Sequence, residues 1–88
     1  MAYEISWTPT AQRNLRKVPT KVGHAVIEFI YGPLADNPQR VGKGLRLDLA
    51  GLYSARRGDF RVIYRVETGS NRIEIVAIEH RSDAYRPR

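Results

Sequence analysis

Residues 54–64 read Ser-Ala-Arg-Arg-Gly-Asp-Phe-Arg-Val-Ile-Tyr, and this stretch decides the fold. Gly58 supplies the backbone freedom that a tight hairpin turn needs. Apolar side chains then recur at every second residue over 60–66, which predicts a strand with one buried face. Arg61 lies on the other face of that strand, and Arg56 on the preceding strand is expected to face it across the hairpin. Two neighbouring guanidinium groups favour a bound anion, and a phosphodiester fits such a pair best.

The composition is that of one small basic domain. Eighty-eight residues suffice for a single hydrophobic core, so we expect one domain over residues 1–88. The formal charge is +6, and residues 40–88 hold eleven basic and six acidic side chains. Twelve of the fifteen cations are arginine, which favours bidentate recognition of phosphate. Nucleic acid is therefore the first class of partner to expect, and an acidic protein is the second.

The composition also excludes several kinds of site. No apolar run approaches the roughly 20 residues of a membrane helix, and the N-terminus lacks the layout of a secretory signal, which together predict a soluble cytoplasmic protein with no membrane partner. The chain has no cysteine, so disulfides and Cys-ligated zinc are excluded. The two histidines and the scattered carboxylates show no metal-ligand spacing. We therefore expect neither a metal nor a cofactor.

The first part of the chain predicts a strand followed by two helices. Apolar residues alternate over residues 3–7, which predicts a short half-buried strand. Thr8 followed by Pro9 is a helix start, and this helix should end before Pro19. Thr20 is expected to cap the second helix.

The second helix carries an apolar stripe and then meets a proline. Its stripe consists of Val22, Val26, Phe29, Ile30 and Leu34. Gly32-Pro33 should kink or end the helix, and residues 36–38 close the segment. Residues 39–51 are predicted to be a connection interrupted by glycines. Its expected apolar anchors are Val41, Leu45, Leu47 and Leu49.

Three antiparallel strands are predicted to follow, over residues 52–56, 59–67 and 72–79. Strict alternation in the last of them puts Ile73, Ile75 and Ala77 on one face and Glu74, Val76 and Ile78 on the other. Both faces would then be partly apolar, which predicts a central strand. The fold class is α+β, with an N-terminal strand and a helical hairpin packed on one face of a small, mainly antiparallel sheet. The opposite face of the sheet should be open.

Three segments together resemble a known toxin family. They are Thr-x-x-Ala-x-x-x-Leu from residue 8, Leu-x-Gly-Leu-Tyr-Ser-Ala-Arg-Arg-Gly-Asp-Phe-Arg-Val-Ile-Tyr over residues 49–64, and His-Arg-Ser-Asp-Ala-Tyr over residues 80–85. The combination resembles the RelE branch of the RelE/ParE toxin superfamily, and especially the actinobacterial RelE toxins. The resemblance runs from Tyr3 to Arg86 and implies a single RelE-like toxin domain with a RelE/ParE-like fold.

The resemblance also implies an activity and its partners. Toxins of this branch belong to type II toxin-antitoxin systems and are ribosome-dependent endoribonucleases that cut messenger RNA in the decoding site. They are silenced by a cognate antitoxin, for which we expect an acidic wrapping segment, and they would reach operator DNA only through that antitoxin. Two alternatives remain open: a ParE-like toxin that inhibits DNA gyrase, and a catalytically silent protein that binds its antitoxin and co-represses its operon.

The resemblance implies a catalytic set of five residues, each placed by its position in the family's motifs. Arg61 matches the arginine that grips the scissile phosphate, and Arg56 takes a position held by lysine in the founding member. Arg81 lies at or next to the basic position that ends the last strand. His80 matches a histidine found in some relatives, and Tyr85 matches the tail tyrosine that stacks on the substrate base.

Four further residues are predicted to contact RNA: Ser54, Arg57, Lys43 and Arg46. Ser54 falls where the founding member has another lysine, and Arg57 could instead form surface ion pairs. Metal-free cleavage requires a base for the ribose 2′-hydroxyl, and an arginine with a pKa above about 12 is a poor one. His80, Glu79 and Tyr85 are the candidates, and Glu79 is better suited to hold an arginine in place.

Overall fold

The computed structural model describes residues 3–44 and 51–80. The strands are β1 (Glu4–Trp7), β2 (Lys43–Gly44), β3 (Leu52–Arg57), β4 (Phe60–Glu67) and β5 (Arg72–His80). The helices are α1 (Pro9–Lys17), α2 (Thr20–Phe29), a π-helical segment (Ile30–Leu34) and α3 (Pro38–Val41). None of the helices in these two ranges is long and apolar enough to cross a membrane.

The strands form one mixed sheet in the order β1-β5-β4-β3-β2. β1 runs parallel to β5, and the other neighbours are antiparallel. The predicted α+β class and the interior position of the last strand are both confirmed. The predicted connection over residues 39–51 contains regular structure at its start, where α3 ends and the short strand β2 forms. The expected anchors Leu45, Leu47 and Leu49 lie outside the described residues.

Helix α1 begins as the sequence predicts, and α2 does not. The Thr8 hydroxyl accepts a hydrogen bond from the backbone N–H of Ala11 at 3.0 Å, and it donates one to the carbonyl of Val76 at 2.8 Å. Thr20 is the first residue of α2 rather than its cap. Pro19 takes the cap position, and no side chain caps that end. Proline has already fixed the entry angle there, so the helix can start without a hydroxyl cap.

We expect Thr8→Ala to lower the free energy of unfolding by about 1 to 2 kcal/mol, because the variant loses the cap of α1 and leaves the Val76 carbonyl without its partner. Urea unfolding measures the change. Thr20→Ala is the matched control and should stay within about 0.5 kcal/mol of wild type. Equal losses in the two variants would contradict the assignment of the cap to Thr8.

The apolar stripe of the second helix continues through Pro33 by a change of helix type. Residues 30–34 form a π-helical segment, whose wider turns leave room for a proline that has no N–H to donate. Ile30 and Leu34 both remain fully buried. Of the two predicted outcomes, the structure shows an end, since the α-helix stops at Phe29.

The helices pack on one face of the sheet, as predicted. The core comprises Ala11, Val26, Phe29, Ile30 and Leu34 from the helices and Ala55, Phe60, Val62, Tyr64, Ile73, Ile75 and Ile78 from the sheet. The side chains of β4 at 61, 63 and 65 lie on the other face, which the described helices do not cover. We call it the open face.

An irregularity in β5 corrects the predicted alternation of that strand. Ile75 pairs with Tyr64 and Ala77 pairs with Ile63, so Val76 has no partner on β4. This extra residue returns Ile78 to the buried face and turns Glu79 to the open face. Helix α1 supports the irregularity, because the Asn14 side-chain oxygen accepts a hydrogen bond from the N–H of Ile78 at 3.0 Å.

Tyr64 ties the sheet to α3. Its ring is fully buried and stacks on Tyr53 with 5.6 Å between centroids, and its hydroxyl donates a hydrogen bond to the Pro38 carbonyl at 2.5 Å. Burial, and to a lesser degree Tyr53, raises the pKa of Tyr64 from 10.0 to about 12.

We expect the stability of the protein to fall between pH 10 and about 12, because the unfolded chain loses the Tyr64 proton in this interval and the folded chain keeps it. The contribution is complete below pH 10 and declines by about 1.4 kcal/mol per pH unit. Urea unfolding of wild type and Tyr64→Phe across this interval measures it. The difference between the two proteins should shrink as the pH rises, and parallel curves would contradict the assignment.

Candidate functional site

Three charged side chains form a row across the open face beside the β3–β4 hairpin. Arg56 on β3 lies directly opposite Arg61 on β4, and Arg61 lies directly opposite Glu79 on β5. Gly58, with φ of +57°, takes the first position of the two-residue turn, where a side chain would be strained. The turn therefore fixes the register that brings the two arginines together.

Arg61 and Glu79 form a close ion pair. The Nε of Arg61 donates to Oε1 of Glu79 at 3.0 Å, and Nη2 donates to the same oxygen. The side chains are 48% and 43% exposed, so a ligand can reach both. Arg56 is also exposed and has no acidic partner within residues 3–44 and 51–80.

The neighbouring row brings two more predicted residues to the same face. Lys43 on β2 pairs with Ser54 on β3, and Ser54 pairs with Ile63 on β4. Lys43 is exposed, whereas Ser54 is half-buried. The hairpin end of the open face thus carries three cations and one carboxylate, at positions 43, 56, 61 and 79.

The rest of the open face is nearly balanced in charge. Arg65 pairs with Glu74 at 3.7 Å, and Arg72 pairs with Glu4 at 3.7 Å. The surplus of positive charge on this face is therefore concentrated beside the hairpin. No group of three or more histidine or acidic side chains that could hold a metal ion occurs in the described part of the chain.

Other predicted site residues lie away from this row. Arg57 is on the helix side of the sheet, where its guanidinium carbon sits 4.9 Å from the centre of the Phe29 ring. His80 pairs with Phe60, so the register assigns it to the helix side as well. Arg46, Arg81 and Tyr85 lie outside the described residues.

Counting residues finds the face of Arg57 and misses that of His80. The period of two places Arg57 on the helix side correctly, but only a neighbouring ring such as Phe29 reveals the cation–π contact. Strict alternation would place His80 on the open face with Glu74, and the irregularity at Val76 instead turns Glu79 to that face. The apolar run Ile75 to Ile78 contains no signal for that irregularity.

A family model described as the ParE toxin of type II toxin-antitoxin systems, parDE, matches residues 5–85. The chain belongs to the ParE toxin family. Members of this family in the RelE/ParE superfamily are toxins of type II toxin-antitoxin systems, so the resemblance noted from the sequence is confirmed at the level of the family.

Two relatives of this ParE-family chain come from Mycobacterium tuberculosis. Toxin RelE is 51% identical over 84 residues, which cover 96% of this chain and 87% of the relative. Toxin RelG is 45% identical over 86 residues, which cover 98% of this chain and 99% of the relative. Both relatives carry names of the RelE type.

Solved structures of ParE-family and RelE toxins share the fold. The toxin-antitoxin complex RelBE2 from Mycobacterium tuberculosis contains a chain with a TM-score of 0.89 and 43% identity, covering 92% of this chain and all of that one. The isolated RelE toxin of E. coli gives a TM-score of 0.75 at 15% identity, covering 90% of this chain and 84% of that one, and this likeness shows the fold alone.

Proposed function

We propose that this ParE-family protein is a RelE-type toxin that cuts messenger RNA on the ribosome. The observation that carries the proposal is the Arg56–Arg61 pair, held directly opposite across a tight hairpin on the open face. Paired guanidinium groups on a rigid sheet suit the charge of a phosphodiester and of its cleavage transition state. The 51% identity to Toxin RelE favours the same branch.

The proposed reaction uses the substrate's own ribose as the nucleophile. The 2′-oxygen forms a bond to the adjacent phosphorus, the bond from phosphorus to the 5′-oxygen breaks, and a 2′,3′-cyclic phosphate and a 5′-hydroxyl result. A base accepts the 2′-hydroxyl proton, and the leaving 5′-oxygen takes up a proton. Arg61 and Arg56 stabilise the negative charge that grows on the phosphate, a task that typically contributes about 100- to 1000-fold in rate per donor.

Positioning of the messenger supplies the larger part of the proposed rate enhancement. Neither arginine is a suitable base, and the register turns His80 away from Arg61. Tyr85 is proposed to assist proton transfer, and Arg81 is proposed to add charge stabilisation. A ribosome that holds the messenger in line for attack can contribute on the order of 7 to 11 kcal/mol through orientation. The proposed chemistry needs no metal ion.

The proposal includes partners and a cellular setting. Residues 1–88 would act as one toxin domain in the cytoplasm, and a cognate RelB-like antitoxin would silence it and connect it to operator DNA. The toxin-antitoxin complex RelBE2, with a chain 43% identical to this one, supports such a partner. Lys43, Ser54 and Arg46 would contact RNA around the cleavage site, whereas Arg57 lies on the helix side and is given no RNA contact.

A translating extract tests the proposal. Purified protein is added to the extract, and primer extension maps breaks in a defined message. We expect breaks within codons only when the message is translated, with 2′,3′-cyclic phosphate and 5′-hydroxyl ends. Intact messages at toxin concentrations equal to those of ribosomes would overturn the proposal.

A second candidate function follows from the description of the matching family model, which names parDE. A toxin of the ParE branch would inhibit DNA gyrase and leave messages intact. A gyrase supercoiling assay with the same preparation decides between the two functions. Loss of supercoiling activity together with intact translated messages would favour the ParE type.

A further inference from the structure

The hydrogen bonds of Arg61 are divided between two edges of its guanidinium group. One edge carries Nε–H and one Nη2–H, and a single oxygen of Glu79 accepts from both nitrogens. The other edge carries the remaining Nη2–H and an Nη1–H, and it has the spacing that binds two phosphate oxygens at once. The Glu79 contact therefore leaves the phosphate-binding edge of Arg61 unoccupied by Glu79.

Glu79 also offsets the repulsion between the positive charges of Arg56 and Arg61. Arg61 stands between Arg56 on one neighbouring strand and Glu79 on the other. Like charges that lie directly opposite each other on a sheet repel, and an exposed arginine side chain can adopt many rotamers. Arg61 could therefore turn away from Arg56 if nothing held it. The carboxylate draws the Arg61 guanidinium toward β5 and fixes its plane through two hydrogen bonds.

We propose that Glu79 is the positioning residue of the site: it holds the Nε edge of Arg61 so that the opposite edge meets the scissile phosphate. The inference rests on the proposed function, since the phosphate belongs to the messenger. Glu79 reaches the open face only because Val76 interrupts the alternation of β5. The carboxylate orients Arg61 and takes no proton in this role.

A competing role for Glu79 makes the opposite prediction. If the carboxylate only neutralised Arg61 and had to leave before RNA could bind, its removal would raise the affinity and speed up cleavage. If it positions Arg61, its removal slows the cleavage step itself. The sign of the rate change therefore separates the two roles.

Single-turnover cleavage on programmed ribosomes with toxin in excess gives the required rate and half-saturating concentration. We expect Glu79→Ala to lower the maximal cleavage rate roughly 10- to 100-fold, since a loosely held catalytic group loses its orientation. The half-saturating concentration should change less than about threefold. Glu79→Gln should restore the rate to within about threefold of wild type, because its amide oxygen can accept the same two hydrogen bonds.

Glu74→Ala is the matched control for these variants. Glu74 lies on the same strand and the same face, is 40% exposed against 43% for Glu79, and pairs with an arginine of β4. Its removal should leave the cleavage rate within about twofold of wild type. Thermal melting of all three variants should match wild type within a few degrees, because exposed ion pairs contribute little to stability.

A readout independent of cleavage separates this inference from the proposed function. The Nε–H signal of Arg61 is observed by ¹H–¹⁵N NMR and assigned by its loss in Arg61→Lys. This proton should exchange with water faster in Glu79→Ala than in wild type and Glu79→Gln. If wild type cuts no message, the proposed function fails, and this signal still tests whether Glu79 holds Arg61. The inference is overturned if Glu79→Ala cuts as fast as wild type, if Glu79→Gln is as slow as Glu79→Ala, or if the Arg61 signal is the same in all three proteins.

Discussion

Arg61→Ala is expected to slow ribosome-dependent cleavage of messenger RNA by at least about 100-fold, because the variant loses the proposed donor to the scissile phosphate. Stability should hardly change, since the Arg61–Glu79 pair is 48% and 43% exposed and solvent screens it. Primer extension on a translated message measures the loss. Arg61→Lys should recover only part of the rate, because an ammonium group keeps the charge but cannot bind two phosphate oxygens as a fork.

Arg65→Ala is the control for this prediction. Arg65 stands four residues further along β4 on the same open face, it pairs with Glu74, and it is 44% exposed. The Arg65→Ala variant removes one positive charge outside the proposed site, so its cleavage rate should stay within about threefold of wild type. Equal losses in Arg61→Ala and Arg65→Ala would point to general electrostatic attraction rather than to a site at Arg61.

Gly42→Ala is expected to lower the free energy of unfolding by about 2 to 4 kcal/mol. The cause is space, because the backbone of Gly42 is extended with φ of −127°. A Cβ atom there would lie 2.2 Å from the Tyr64 hydroxyl and 3.0 Å from the carbonyl oxygen of Ser54. Tyr64 is fully buried, so its ring cannot move aside without giving up the hydrogen bond to Pro38.

Thermal unfolding measures this loss, which corresponds to roughly 10 °C or more in a domain of this size. Gly44→Ala is the control, since its added Cβ would have only an ordinary contact, 3.9 Å from Tyr53. The double variant Gly42→Ala, Tyr64→Phe should lose less than the sum of its single changes, because the clashing hydroxyl is gone. Additive losses would show that Gly42 and Tyr64 do not interact.

Local sequence patterns were sufficient for most of the fold. Alternation predicted a strand over 59–67, and the structure has β4 at Phe60–Glu67. The same alternation, with the turn at Gly58, predicted that Arg56 and Arg61 would face each other, and the register confirms it. These features depend on neighbours in sequence, so a period and a turn residue were enough to find them.

Features that depend on partners far along the chain were missed. The start of α2 was missed for a local reason, since Pro19 takes the cap position that Thr20 was expected to fill. The short strand β2 is recognisable only by its pairing with β3, since two residues carry no periodicity. The irregularity of β5 is held by Thr8, the cap of α1, and by Asn14 of that helix, so its cause lies more than sixty residues upstream.

The extra residue Val76 in β5 affects sequence comparisons among distant relatives. After Val76, each side chain of β5 lies on the opposite face of the sheet from the one that strict alternation would give it. A homologue that lacks this extra residue would keep strict alternation to the end of the strand. An ungapped alignment to a homologue without the extra residue would equate Glu79 with a side chain on the opposite surface. Equivalent residues at the end of β5 must therefore be assigned from their pairing with β4. A comparison of active-site residues that ignores this pairing would match side chains from opposite faces of the sheet.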